Sequence, residues 1–136
     1  MRVFLDTNVL ASALGTRGLC AEVFEAVIDD HILLISEAVL SELDRALAGK
    51  FRLPRSTINA YLELLRQHAQ VMAAAGAPSH EIADPVDGAI VACAAAAGAD
   101  VFVTGDKALL DIGNASGMPI KSPRELWMML AGLNGQ

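Results

Sequence analysis

Short apolar runs alternate along this chain with segments in which apolar residues recur every three or four positions. The runs at residues 2–5, 31–35 and 101–103 are almost continuously apolar, which predicts short strands buried on both faces. Residues 19–29 carry Leu, Val, Phe and Ile at helical spacing, which predicts an amphipathic helix. Strands that alternate with helices are typical of an α/β fold whose parallel sheet is covered on both sides.

Capping residues, prolines and glycines predict where the other helices begin and end. Ser36 is expected to cap a helix that ends at Gly49. Residues 69–75 fit either the end of a helix or a short strand, and residues 119–121 fit a short edge strand. The pattern predicts a central sheet of four to five parallel strands and further helices at residues 7–14, 36–48, 56–68, 84–97, 107–112 and 122–130.

Composition favours one domain over residues 1–136, since 54% of the residues are hydrophobic and only 19% are charged. The formal net charge of −6 argues against nucleic-acid binding through bulk electrostatics. The longest uncharged apolar stretch, residues 88–99, is too short to span a membrane. With no signal segment and with Cys20 and Cys93 expected as free thiols, the sequence predicts a cytoplasmic protein.

Acidic residues fall where the expected strands and helices would bring them together. Asp6 directly follows the first strand, and Asp106 lies three residues beyond the strand at 101–103. In a parallel sheet both positions belong to the same edge, where ligands of α/β proteins bind. Glu42 lies at the border of the apolar face of its helix, and Asp87 lies in the first turn of another. These acids are candidates for one shared site.

Each acid also has a purely structural interpretation. Asp6, Asp84 and Asp106 each precede an expected helix, and Asp is a preferred N-cap residue. Asp87 would then be the favourable acid of a first helical turn. Glu42 would pair with Arg45 on the helix surface. Taken singly, these interpretations remain open, and so does the question of whether Asp84 is a ligand or a cap.

Taken together, converging carboxylates would repel one another unless they were protonated or bound to a cation. Oxygen ligands without a His or Cys pattern favour Mg²⁺ or Mn²⁺ over Zn²⁺. Such an arrangement is typical of metal-assisted phosphodiester hydrolysis. Asp6, Asp87 and Asp106 are the expected metal ligands, and Glu42 is expected to hold a metal or orient the attacking water.

Four motifs in chain order resemble those of the PIN-domain nucleases, most closely the VapC-like toxins of type II toxin–antitoxin modules. The motifs read FLDTNVL, SEAVLSEL, DPVDGAIVACAAAAGAD and VTGDKALL, and the resemblance covers residues 2–126. It implies a three-layer α/β/α sandwich, cleavage of RNA with Mg²⁺ or Mn²⁺, a homodimer and an antitoxin partner. The catalytic acids that it implies are Asp6, Glu42, Asp87 and Asp106, supported by Asn8 and Thr104.

A negatively charged site needs cations at its rim to receive RNA. Each basic residue near the motifs also has a simpler interpretation, as an ordinary solvated surface charge. No RNA-binding motif with interleaved aromatic residues is present, so target selection would depend on local RNA shape or on a partner. The candidate substrate contacts are Arg17, Lys50, Arg52, Arg55 and Lys107.

Two other interpretations remain at this point. One is a catalytically silent PIN-like interaction module whose acids only cap helices. The other is a haloacid-dehalogenase-type phosphatase, in which a strand ends in Asp-x-Asp, although here the second acid is replaced by Asn8. On the last helix, Trp127, Met128 and Met129 are expected in the core rather than on a partner-binding surface.

Overall fold

A computed structural model describes residues 1–15, 18–73 and 82–132. Strands and helices alternate along the chain, as the sequence pattern predicts. The strands are β1 (Arg2–Leu5), β2 (Ile32–Ser36), β3 (Ala69–Met72), β4 (Val101–Val103), β5 (Asn114–Ala115) and β6 (Met118–Lys121). The helices are α1 (Thr7–Gly15), α2 (Leu19–Asp30), α3 (Glu37–Gly49), α4 (Arg55–His68), α5 (Pro85–Ala96), α6 (Lys107–Ile112) and α7 (Pro123–Leu130).

The sheet has the strand order β3-β2-β1-β4-β6-β5, and all pairs are parallel except β5 with β6. From β1 the chain builds outward through β2 and β3 on one side, then returns to place β4 and β6 on the other. The order therefore reverses between β1 and β4. In open α/β sheets, a crevice for ligands forms at such a point, beyond the carboxyl ends of the strands.

The core explains why these strands are continuously apolar. Val3, Phe4 and Leu5 of β1 are fully buried, and so is every residue of β4. Successive side chains of a strand point to opposite faces, so both faces of the sheet are covered by helices. Phe4 and Phe102 stack with ring centroids 5.2 Å apart. The prediction of an α/β fold with a central parallel sheet flanked by helices is confirmed.

Within the described residues the sheet has five mutually parallel strands, in agreement with the prediction of four to five, and one short antiparallel strand, β5, that the prediction did not include. The segment 69–75 is resolved in favour of a strand at Ala69–Met72, while residues 74–75 lie outside the described residues. Residues 119–121 belong to strand β6, as expected. The expectation that this strand lies at the edge of the sheet is wrong, because β5 pairs with its outer side. β5 has two residues, too few to show a period.

Ser116 and Gly117 make the tight connection between β5 and β6, with φ angles of 53° and 81°. Positive φ at both central positions is the requirement of a type I′ hairpin turn, which Gly satisfies without steric cost. Asn114 Oδ1 accepts a hydrogen bond from the Gly117 amide at 3.1 Å. The Ser-Gly pair was therefore the available signal for the hairpin that the sequence prediction missed.

The structure also tests the expectations for the two cysteines and for the last helix. Cys20 and Cys93 are free, as predicted. The expectation that Trp127 lies in the core is wrong, since Trp127 is 37% exposed. Leu126, its neighbour on α7, occupies the fully buried position instead. Within the described ranges, no helix is both long and apolar enough to cross a membrane.

Candidate active site

The four predicted acids line one cavity of about 260 Å³ at the carboxyl edge of the sheet. Asp6 follows β1 and Asp106 follows β4, so these two flank the point where the strand order reverses. Glu42 reaches the cavity from α3, and Asp87 reaches it from the first turn of α5. The expectation that residues distant in sequence meet at this edge therefore agrees with their positions.

Asp6 is the most buried of the acids, with 8% of its surface exposed. Its Oδ1 accepts the Thr7 amide at 2.9 Å, and its Oδ2 accepts the Thr104 hydroxyl at 2.9 Å. Burial raises the pKa of Asp6, and the charges of Glu42 and Asp106 raise it further, while these two hydrogen bonds lower it. The hydrogen bonds hold the carboxylate in a fixed position. They also favour its charged form, which partly opposes the tendency of a buried acid to take up a proton.

Thr104 and Asn8, the two residues expected to support the acids, both bond to the Asp6 carboxylate. Thr104 is fully buried, and its hydroxyl also accepts the Asp106 amide at 3.0 Å. Asn8 donates from Nδ2 to Thr104 at 3.3 Å and, more weakly, to Asp6 at 3.4 Å. Its Oδ1 accepts the Gly105 amide at 2.8 Å. A single network of hydrogen bonds thus joins the residues after β1 to those after β4.

Glu42 is positioned by a residue that the sequence prediction did not single out. Thr7 Oγ1 donates to Glu42 Oε1 at 2.7 Å, which links α1 to α3 across the cavity. The available signal was the hydroxyl directly after Asp6, in the DTN triplet, but the spacing along the chain gives no indication that it faces α3. The suggested surface pair of Glu42 with Arg45 is absent among the described contacts, where Arg45 bonds Ser41 instead.

The pKa of Asp87 is affected by the charges of all the neighbouring acids. Burial, followed in decreasing order by the charges of Asp84, Asp6, Asp106 and Glu42, raises its pKa to about 6. Within the described residues, no hydrogen bond to its carboxylate offsets this repulsion. A neighbouring cation would favour the charged form of such a group.

Asp84 and Asp106 both cap helices, as their structural interpretation predicts. Asp84 Oδ1 accepts the amides of Val86 at 2.8 Å and Asp87 at 3.2 Å. Asp84 does not line the cavity, so the cap explains its presence. Asp106 Oδ1 accepts the Ala108 amide at 2.9 Å, but Asp106 also lines the cavity. A cap that uses one oxygen leaves the other carboxylate oxygen able to face a ligand.

By chemistry, this donor set fits a hard divalent cation, because it consists of carboxylates without His or Cys. The carboxylates line different parts of the cavity wall and do not form one coordination group. No three His, Cys, Asp or Glu side chains in the described part of the chain are placed to hold an ion as they stand. Repulsion among Asp6, Asp87, Asp106 and Glu42 favours such separation.

The candidate cations differ in their relation to the cavity. Lys50 lines it, and Arg52 is exposed two residues further on. Lys107 instead pairs with Asp111 at 3.2 Å, and Arg55 pairs with Asp44 at 3.0 Å. Arg17 lies outside the described residues. Of the described candidates, Lys50 is therefore the basic residue that lines the cavity.

Comparisons with known proteins agree with this architecture. The chain is similar in fold to a chain of VapBC2 from Rickettsia felis, solved bound to a DNA fragment from their promoter, with a TM-score of 0.65 and 16% identity over 90% of this chain and 98% of that one. It is also similar to PAE2754 from Pyrobaculum aerophilum, with a TM-score of 0.62 and 19% identity over 97% and 90% of the two chains.

No curated protein matches the chain in sequence. A family model described as PIN domain matches residues 2–108, a span that ends before the 126 expected from the motifs. The matched span includes all four acids of the cavity and both residues that support Asp6. The chain belongs to the PIN domain family.

Proposed function

We propose that the protein is a metal-dependent endoribonuclease that acts as the toxin of a toxin–antitoxin pair. The observation that carries this proposal is the convergence of Asp6, Glu42, Asp87 and Asp106 on one cavity at the point where the strand order reverses. The fold shared with VapBC2 and the VapC-like motifs support the assignment to a toxin.

Asp6, Asp87 and Asp106 would hold Mg²⁺ or Mn²⁺ in this cavity, with Glu42 as a further ligand. When bound, such an ion supplies Lewis-acid activation of water and of the phosphate that is cleaved. The residues of the chain provide the rest. Thr104 and Thr7 hold the carboxylates of Asp6 and Glu42 in fixed positions, and support of this kind is worth about 10–100-fold in metal affinity or activity.

Glu42 has a second role in this proposal. Its Oε1 is occupied by the Thr7 hydroxyl, and its other oxygen remains available to accept a hydrogen bond from a water in the cavity. A carboxylate in that position orients water for attack on a phosphodiester. No side chain of the cavity needs to form a covalent intermediate.

The test is digestion of a mixed RNA pool with Mn²⁺ or Mg²⁺ and with EDTA, followed by mapping of the cleaved ends. Cleavage should require the metal and should be lost in Asp6→Ala and Asp106→Ala. Asp29→Ala, which changes an exposed acid at the end of α2, is the matched control and should retain cleavage. Cleavage that survives in EDTA or in either site variant would contradict the proposal.

A catalytically silent interaction module is the second candidate. The observations that favour it are the capping role of Asp106 and the absence, in the described ranges, of a ready group of three metal ligands. Such a module would bind RNA or protein without cutting, and its stability would not respond to Mn²⁺. The haloacid-dehalogenase-type alternative has less support, because the Asn8 side chain bonds Gly105 and Thr104 and offers no general acid.

The proposed partners are an antitoxin protein and a second copy of this chain. An acidic cavity would accept an inhibitor that presents Arg or Lys side chains. Co-purification with the product of a neighbouring gene, and its loss when Asp6 and Asp87 are changed to Asn, would test the first. Sedimentation of the purified chain would test the homodimer.

A further inference from the structure

An exposed aromatic residue stands at the rim of the acid cavity. Phe51 is 36% exposed and lines the cavity together with Lys50 and the four acids. The Lys50 ammonium lies 5.8 Å from the centroid of the Phe51 ring, within the range of a cation–π contact. The rim therefore offers a π surface and a positive charge next to a site that would otherwise only repel a phosphate backbone.

The backbone holds this pair in a defined position. The amides of Lys50 and Phe51 both donate to the Ala46 carbonyl, at 2.9 and 3.1 Å. The next residue, Arg52, has a φ of 53°, a left-handed conformation that is uncommon for a residue other than glycine. The Leu53 amide then donates to the Leu47 carbonyl at 3.0 Å. The turn at the end of α3 thus directs the chain so that Leu53 packs on the core while Phe51 remains at the rim.

The end of α1 lies close to the ring. A Cβ at Gly15 would lie 3.7 Å from Phe51 Cε1, which is ordinary van der Waals contact. Phe51 therefore lies next to the end of α1, with about a third of its surface open to solvent. An aromatic side chain restrained in this way loses little further entropy when a ligand stacks on it.

In a protein of net charge −6 with four acids in its site, a source of RNA affinity that does not depend on positive charge would add to the contribution of the few cations at the rim. Stacking of a base on an aromatic ring provides it and tolerates any base, because every base has a π face. Stacking also requires an unpaired base, since a base inside a helix already stacks on its neighbours. These requirements select single-stranded RNA.

We propose that Phe51 stacks on an unpaired base of the RNA substrate and that Lys50 contacts an adjacent phosphate, so that the strand is directed across the acid cavity. This inference rests on the proposed ribonuclease function and names the part of the substrate that the rim recognises. It makes Phe51 a substrate-binding residue, a role to which no motif of the sequence pointed.

The test compares cleavage kinetics of the wild type, Phe51→Leu and Phe51→Trp on a short single-stranded RNA. The same RNA is also prepared with one abasic nucleotide at each position in turn. Phe51→Leu should raise KM roughly 5- to 100-fold with little change in kcat, because stacking contributes to binding before and during the reaction. Phe51→Trp should keep KM near the wild-type value.

One abasic position should raise KM of the wild type by a similar factor and have no further effect on Phe51→Leu. Trp127→Leu is the matched control, since Trp127 is an aromatic residue of nearly equal exposure that does not line the cavity; its KM should be unchanged. An unchanged KM in Phe51→Leu, or additive abasic effects at every position, would overturn the stacking role alone. If the wild type cleaves no RNA under any metal condition, both the stacking role and the proposed function fail.

Discussion

The two sides of the acid cavity are built in different ways. On the strand side, Asp6 lies in a closed network in which Thr104, Thr7 and Asn8 all bond to its carboxylate. On the helix side, Glu42 has one hydrogen bond from Thr7, and Asp87 has none from the described residues. Burial, and after it the charges of its neighbours, raise the pKa of Asp87 to about 6.

The two sides therefore contribute differently to ligand binding. The strand side is fixed before any ligand arrives, which lowers the entropic cost of binding. The helix side retains unbalanced charge, so a cation or a proton would be most stabilising there.

The largest effect is expected from Thr104→Val, which removes the hydroxyl from the strand side without changing the side-chain volume greatly. The Asp6 carboxylate loses a hydrogen-bond donor and the Asp106 amide loses an acceptor. Asp6 and Thr104 are both buried, so water cannot readily replace the hydroxyl. We expect the free energy of unfolding to fall by about 2–3 kcal/mol, as measured by urea denaturation. Thr57→Val, on the exposed surface of α4, should change it by less than about 0.5 kcal/mol.

The next effect concerns the response to metal. Mn²⁺ at ten times its dissociation constant should raise the free energy of unfolding of the wild type by about 1.4 kcal/mol. Asp6→Asn keeps the shape of the side chain but removes a charge, so most of this gain should disappear. Asp29→Asn is the matched surface control. Equal shifts in wild type and Asp6→Asn, measured by thermal unfolding in Mn²⁺ and in EDTA, would leave the acids as helix caps only.

A smaller effect is expected from Thr7→Val on the helix side. Loss of the 2.7 Å hydrogen bond to Glu42 should lower the free energy of unfolding by about 1 kcal/mol and cleavage by about tenfold. Thr7→Ser retains the hydroxyl and should behave as the wild type in both assays. Full cleavage by Thr7→Val would show that Glu42 does not need this support.

The smallest effect is a dependence of stability on pH at Asp87. Its pKa in the folded protein is raised from 3.8 to about 6, so the folded state binds this proton more tightly than the unfolded state. The stabilisation from proton uptake is complete below pH 3.8 and is lost as the pH rises through about 6.

Asp87→Asn in EDTA should therefore be more stable than wild type above pH 6, by about 0.5 kcal/mol after solvent screening of this partly exposed group. The two proteins should converge as the pH falls towards 3.8. Thermal unfolding across this range measures the difference, with Asp29→Asn as the control. A constant difference at all pH values would indicate a packing effect instead of a charge effect.

The sequence predicted the strand side of the site better than the helix side. Asp6 and Asp106 directly follow strands whose apolar runs are easily recognised, and parallel pairing brings their ends together. Glu42 and Asp87 could be named as candidates from their positions on their helices, but their approach to the cavity could not be derived, because it depends on how α3 and α5 pack on the sheet. Helical periodicity defines which face of a helix is buried but not which residue of another helix it meets.

The same reason explains what the sequence missed. Thr7 and Phe51 are a hydroxyl and an aromatic residue with no spacing that distinguishes them from ordinary surface or core positions. Thr7 acquires its role from the contact between α1 and α3, and Phe51 from the turn that follows α3. Contacts of this kind arise from tertiary packing, which local patterns do not encode.

The backbone amide of Asp6 donates to the Val103 carbonyl at 2.9 Å, and that of Thr104 donates to the Lys121 carbonyl at 3.0 Å. Two residues of the site are thus also members of the central sheet ladder. Their amides should exchange with solvent deuterium only through cooperative opening of that ladder, on the slowest timescale of the molecule. Heating would then abolish the strand side of the site in the same transition that melts the domain, with no earlier loosening of Asp6.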